Sequence, residues 1–121
     1  MTILTEPLHP AEFVVSEANG TRSRGTGTLI SGQDLDAGAV LGIITASGKL
    51  TELAPAAGDG SEAAAAILWA PVDASGGDAA CVILERDAEV DGELLQWPTG
   101  ITVNQKATAI AELKAIGILV R

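Results

Sequence analysis

Turn residues cut the chain into short β-type runs, and only one stretch near the C-terminus keeps a helical period. That spacing points to a strand-rich domain with a single late helix. Phe13-Val14-Val15 is a short β-type run closed by Asn19-Gly20. Thr26 to Ile30 reads as a strand ended by Ser31-Gly32. Ala39 to Ile44 and Lys49 to Leu53 flank Ser47-Gly48, the best hairpin in the sequence. Ala63 to Trp69 is rich in alanine and so open to helix, but Ile67-Leu68-Trp69 before Pro71 favours a buried strand. Gly58-Asp59-Gly60 and Asp73 to Asp78 read as loops, and Ala80 to Arg86 as a further strand. The helix is expected over Gln105 to Ile116, with Asn104 as N-cap and Gly117 as the stop. Its apolar stripe would be Ala107, Ile110, Ala111 and Leu113, leaving Lys106 and Lys114 in water. Ile118-Leu119-Val120 reads as a closing strand. The expected fold class is α+β: mostly short β-strands with one C-terminal helix, a compact single domain with a flexible N-terminal arm.

Met1 to Glu12 carries Pro7 and Pro10 and no steady periodicity, which opposes helix and favours an extended path. The expected organisation is therefore an arm over residues 1–12 and one α+β domain over residues 13–121. A chain of 121 residues suits one domain. Its core must be built of small aliphatics. Hydrophobic residues make up 47% of the chain, yet Phe13, Trp69 and Trp97 are the only aromatics. Apolar surface left over on so small a domain usually ends in an oligomer interface, so the chain reads as a subunit.

Charge narrows the partners. Sixteen acidic residues against seven basic ones give a net charge of −9, with no basic cluster. Nucleic-acid affinity is dominated by phosphate contacts, so neither nucleic acid nor an anionic membrane is an expected partner. The N-terminus carries Glu6 and no basic region before an apolar stretch, so it does not read as a signal peptide. The longest apolar run, Ala63 to Val72, is far shorter than the roughly 20 residues a membrane span needs. The expectation is a protein made and kept inside the cell, or inside an infected one.

Candidate chemistry is sparse, and neither a catalytic nor a metal site nor a cofactor is expected. Cys81 is the lone cysteine and lies in an apolar run, where a buried structural thiol is the natural reading. His9 is the lone histidine and lies in the proline-bearing arm, a poor platform for general-base work. Arg24-Gly25-Thr26-Gly27-Thr28 lacks the third glycine of a phosphate-cradling loop and reads better as a bend or bulge in a strand. Ala46-Ser47-Gly48-Lys49 ends like a phosphate loop, but a hairpin turn explains it. Asp59, Glu62, Asp73 and Asp78 lie by glycine-rich loops, where turn formation outweighs calcium binding. Asp87, Glu89, Asp91 and Glu93 alternate with Ala88, Val90, Gly92 and Leu94. That pattern fits a strand with one solvated face whose charges discourage edge pairing, or else an acidic binding edge.

Several stretches, in order, resemble the lambda-like phage head decoration proteins. They are Glu17 to Arg24, Leu35-Asp36-Ala37-Gly38-Ala39-Val40-Leu41-Gly42, Gly48-Lys49-Leu50, Asp59 to Leu68, Pro71-Val72-Asp73-Ala74, Glu85 to Val90 and Ala115 to Ile118. Each is unspecific alone, and it is their order and spacing that match. The chain departs from the family pattern in an extended Arg22-to-Ser31 region. The resemblance implies a homotrimer that caps threefold positions outside an expanded phage head, with the major capsid protein as partner and the virion exterior as location. It also implies a capsid-binding arm, here Thr2, Ile3, Leu4, Thr5, Glu6, Pro7, Leu8, His9, Pro10, Ala11, Glu12 and Phe13. Two other readings stand beside it. One is another virion module, such as a tail component. The other is a barrel-sandwich carrier domain, from Ala37 to Gly42 followed by Lys49 at a hairpin.

Overall fold

The computed structural model describes residues 13–17 and 23–121. The expected arm, residues 1–12, and the Asn19-Gly20 turn lie outside them. Among the described residues, ten strands and one helix follow in chain order: β1 (Val14–Glu17), β2 (Arg24–Leu29), β3 (Asp34–Leu35), β4 (Val40–Ile43), β5 (Leu50–Glu52), β6 (Ala66–Leu68), β7 (Val72–Asp73), β8 (Ala79–Leu84), β9 (Ala88–Val90), α1 (Val103–Ala115) and β10 (Ile118–Val120). This is the expected α+β class.

Strand alternation sorts the aliphatics into two cores. Strands β2-β5-β4-β6-β8 close into a barrel. Its interior takes Leu29, Leu41, Leu50, Ala66, Leu68, Cys81 and Ile83, all buried. The residues between them point outward. Val40 on β4, Ile67 on β6 and Leu84 on β8 join Phe13, Val90, Ala109, Leu113 and Ile118 in a second core. That core lies between the barrel wall and a layer made by α1 and the sheet β1-β9-β10.

The expected hairpin forms as β4 and β5, with Leu41 opposite Glu52 and Ile43 opposite Leu50. Ile44 N–H donates to the Lys49 carbonyl at 2.9 Å, and Gly48 at φ +72° supplies the left-handed turn residue. The Ala46-to-Lys49 motif is that turn. The Arg24-to-Thr28 motif lies wholly within β2, which pairs along its length with β8, from Arg24 opposite Leu84 to Leu29 opposite Ala79. A Cβ on Gly27 would stand 2.6 Å from Leu50 Cδ1, so glycine admits a crowded barrel interior there. The alanine-rich stretch resolves as β6, with all three residues buried.

Three expectations are corrected. First, α1 begins at Val103, with Thr102 as N-cap instead of Asn104. Gln105 N–H donates to Thr102 Oγ1 at 3.1 Å, and Thr102 N–H donates to Gln105 Oε1 at 3.0 Å, a capping box that places Asn104 in the first turn. Second, the buried stripe is Ala109 and Leu113, while Ala107 and Ala111 face solvent. Alanines on several faces left the stripe ambiguous, and contact with the second core chose it. Lys106 is likewise half-buried, its ammonium 5.2 Å from the Trp97 ring centroid, whereas Lys114 is exposed. Third, β9 buries Ala88 and Val90 and leaves Glu89 half-exposed, as a one-face-solvated strand should, but it is central and not an edge. It pairs antiparallel with β1 and parallel with β10. The short β3–β7 pair was not expected, since two residues a side carry no readable period.

Candidate functional surface

Among the described residues, Cys81, Lys49, Asp59, Glu62, Asp73 and Asp78 are used by the fold. Cys81 is 5% exposed in the barrel interior, and burial pushes its thiol above the ordinary range. Lys49 Nζ lies 2.6 Å from Asp78 Oδ2, pinning the hairpin turn to the loop before β8. Asp59 Oδ1 accepts from the Ser61 hydroxyl at 2.5 Å and from its N–H at 3.0 Å. Asp73 Oδ1 accepts from Ser75 in the same way, at 2.6 and 2.9 Å. Glu62 accepts from Gly60 N–H at 2.8 Å. These are turn-closing bonds of the kind expected from Asp and Gly in loops. Among the described residues, no group of three or more His, Cys, Asp and Glu could hold a metal ion. No helix there is long and apolar enough to cross a membrane.

The same bonds set an acid dependence. Hydrogen bonds from Ser61 hold Asp59 below the usual carboxylate range, and those from Ser75 do so for Asp73. Asp78 is lowered by the Lys49 ammonium and then by Ser31 N–H. With folded values depressed, the unfolded chain takes up protons first. The stabilisation is therefore whole above the ordinary carboxylate range and is lost as pH falls below about 4. Urea midpoints are expected to be level from about pH 7 to 5 and to fall below about pH 4. The Asp59→Asn/Asp73→Asn pair should show a shallower acid limb. An equally steep limb would assign the acid sensitivity to other groups.

Of the arm residues named above, only Phe13 falls among those described, and it is fully buried. Its ring belongs to the second core. Thr2, Ile3, Leu4, Thr5, Glu6, Pro7, Leu8, His9, Pro10, Ala11 and Glu12 lie outside the described residues. What the structure does define is where they join the domain. The Phe13 carbonyl accepts from Asp91 N–H at 2.8 Å, and β1 runs on antiparallel to β9, with Val14 opposite Val90 and Glu17 opposite Ala88. The register slips between Val14 and Ser16, where Val15 is 57% exposed. The sheet order puts β1 at an edge, so its other side has no partner strand within the described sheet.

A second fixture joins β1 to the barrel. Arg24 Nη2 and Nε donate to the two Glu17 carboxylate oxygens at 2.6 and 3.2 Å, and its guanidinium carbon stands 4.0 Å from the Trp69 ring centroid. Bidentate pairing and ring stacking together suit arginine and not lysine. Sequence reading missed this stack, because Trp69 is brought to Arg24 only when β2 and β6 flank β8. Nothing local marks the three residues.

The described residues form a small barrel backed by a helix and a three-stranded sheet, with Asp59, Asp73 and Glu62 closing loop turns and Arg24, Lys49 and Arg121 held in ion pairs. Residues 3–118 match the bacteriophage lambda head decoration protein D family, and the chain belongs to it. It is a phage head decoration protein. No curated protein sequence matches the chain significantly.

Proposed function

We propose that this protein binds the outside of an expanded capsid as a homotrimer at threefold sites and stabilises the shell against the packaged DNA, without catalysis. The observation that carries the reading is the family match over residues 3–118. The geometry at Phe13 supports it: a buried aromatic anchors an edge strand at the point where residues 1–12 join. In this reading Thr2 to Glu12 is the capsid-binding arm, and it adds as a strand to an exposed edge of the major capsid protein. Pro7 and Pro10 cannot donate, so main-chain pairing concentrates in Thr2 to Glu6 and from Ala11 into the free side of β1. One arm alone binds weakly, since ordering it costs conformational entropy. Three arms on one trimer make the later contacts intramolecular and raise avidity on the order of a hundredfold or more. The acidic surface, net −9, suits a protein outside the shell that does not touch the genome.

The test is co-sedimentation with undecorated, expanded heads, comparing the full chain with one lacking residues 1–12. Saturable binding by the full chain is expected, weakened on the order of a hundredfold or more by the truncation. Unchanged binding by the truncated chain would remove the arm from the mechanism. Absence of binding by the folded full chain would overturn the capsid reading itself.

A further inference from the structure

Packing holds strand β1 only thinly. Val15 and Ser16 are exposed, Val14 and Glu17 are half-buried, and the strand pairs on one side alone within the described sheet. Its ladder with β9 is also out of step. The Phe13 carbonyl meets Asp91 N–H, Val14 lies opposite Val90, Ser16 opposite Glu89 and Glu17 opposite Ala88. Phe13 to Glu17 thus spans Ala88 to Asp91 with one residue to spare, and the exposed Val15 is the residue that bulges. A bulge stays in place only while both ends of its strand are fixed. Otherwise a one-residue slip removes it and turns every later side chain to the other face. The buried Phe13 ring fixes one end.

We infer that Arg24 fixes the other end, as a positioning residue that holds β1 in its bulged register and so sets how residues 1–12 leave the domain. The consequence for the arm rests on the capsid-binding reading above, whereas the register does not. Arg24 is itself firmly placed. It lies in β2, paired along its length with β8, and its guanidinium lies over the Trp69 ring. The preceding residue, Ser23, is fully buried. Its hydroxyl donates to the Asp87 carbonyl at 2.9 Å, and its carbonyl accepts from Glu85 N–H at 2.9 Å. Arg24 is therefore set in position relative to the residue just before β9. From there its fork takes both Glu17 oxygens, which fixes the plane of the carboxylate as well as its distance. A slipped Glu17 would face the other side of the sheet and lose that fork.

Charge points the same way. Glu17 lines a groove with Asp87 and Glu89, and like charges this near push its carboxylate away unless Arg24 offsets them. The paired side chains are 34% and 22% exposed, so the clamp adds little to global stability. Choosing between two registers of a four-residue strand takes only a small difference, and the clamp supplies it. A bulge also bends its strand and interrupts an edge ladder. Strand addition that begins in the arm therefore stops before Val15.

Nuclear magnetic resonance of the full chain tests the register. Cross-strand contacts between Ser16 and Glu89 are expected in the unaltered chain and are expected to vanish in Arg24→Ala. Hydrogen exchange of the β1 amides should quicken by about tenfold in that variant, with β8 unchanged. Glu17→Ala removes the other half of the clamp, should act alike, and serves if Arg24→Ala does not fold. Lys49→Ala, which breaks the ion pair to Asp78 at the distant hairpin, is the control and should leave β1 as it was. Absence of the Ser16–Glu89 contacts from the unaltered chain, or their survival in the folded clamp variants, overturns the inference. Co-sedimentation with heads then tests the arm: Arg24→Ala should weaken binding by about tenfold and Lys49→Ala should not. Equal weakening by both, or none by Arg24→Ala, overturns the positioning of the arm. A register that depends on the clamp in a chain that never binds heads keeps the clamp and sinks the capsid reading. Head binding with a register indifferent to the clamp does the reverse.

Discussion

Phe13→Ala is expected to cost about 3–5 kcal/mol, the range for truncating a buried aromatic. The ring is fully buried among Val40, Ile67, Leu84, Val90 and Leu113, and these neighbours come from the barrel, the sheet and the helix. No single element can shift to refill the space. Phe13 is also the only fully buried aromatic of that core, whose other fully buried members are aliphatic, so its loss removes an unusually large share of the buried volume. Stabilities of small domains run about 5–15 kcal/mol, which makes this a large fraction of the total. Urea denaturation read by circular dichroism measures it. A loss below about 1 kcal/mol would mean that the ring is not packed as described. The same variant should release β1, and with it the anchor that the capsid-binding proposal requires.

Gly42→Ala is expected to cost about 3 kcal/mol, the upper end of what overpacking usually does. The added Cβ would stand 2.7 Å from Ser61 Cα and 2.8 Å from its carbonyl carbon, so backbone, not a flexible side chain, would have to move. The Ser61 loop is poorly placed to yield. Its carbonyl accepts from Ala54 N–H at 3.0 Å, the Asp59 carbonyl accepts from Thr45 N–H at 2.9 Å, and Asp59 Oδ1 closes onto Ser61. Gly58→Ala is the matched control, since nothing lies within 4 Å of its added Cβ, and it should change stability by no more than about 0.5 kcal/mol. Equal, small effects from both would show that the loop moves away freely.

Much of the local structure is legible in the sequence. The β4–β5 hairpin announced itself through two β-type runs around Ser47-Gly48, and the closing strand through Ile118-Leu119-Val120. Gly117, at φ +92°, ends α1 as its position predicted. These features depend on neighbours in the chain. The helix start was misread by about two residues because Asn104 and Thr102 are both good caps, and only the reciprocal bond with Gln105 separates them. The helix face was misread because alanine marks no side. That the Phe13 ring would be covered by barrel, sheet and helix was not legible, because a lone aromatic beside two prolines carries no sign of what will cover it.

The sequence by itself determined the α+β class, the order and approximate limits of most elements, the turn chemistry of the acidic loops and membership in the decoration family. Each of these is written in nearest-neighbour backbone preferences or in the order of motifs along the chain. Tertiary structure alone decided that β2 closes the barrel, pairing in parallel with β5 at Leu29 and Leu50 and antiparallel with β8, from Arg24 opposite Leu84 to Leu29 opposite Ala79. It also decided that β9 sits between β1 and β10, that Glu17 and Trp69 converge on Arg24, and that Leu84 is covered while Val82 is not. The reason is physical. Alternation records which residues share a face, but which strands meet, and how far a covering layer reaches, is settled by volumes and main-chain hydrogen bonds between segments far apart in the chain.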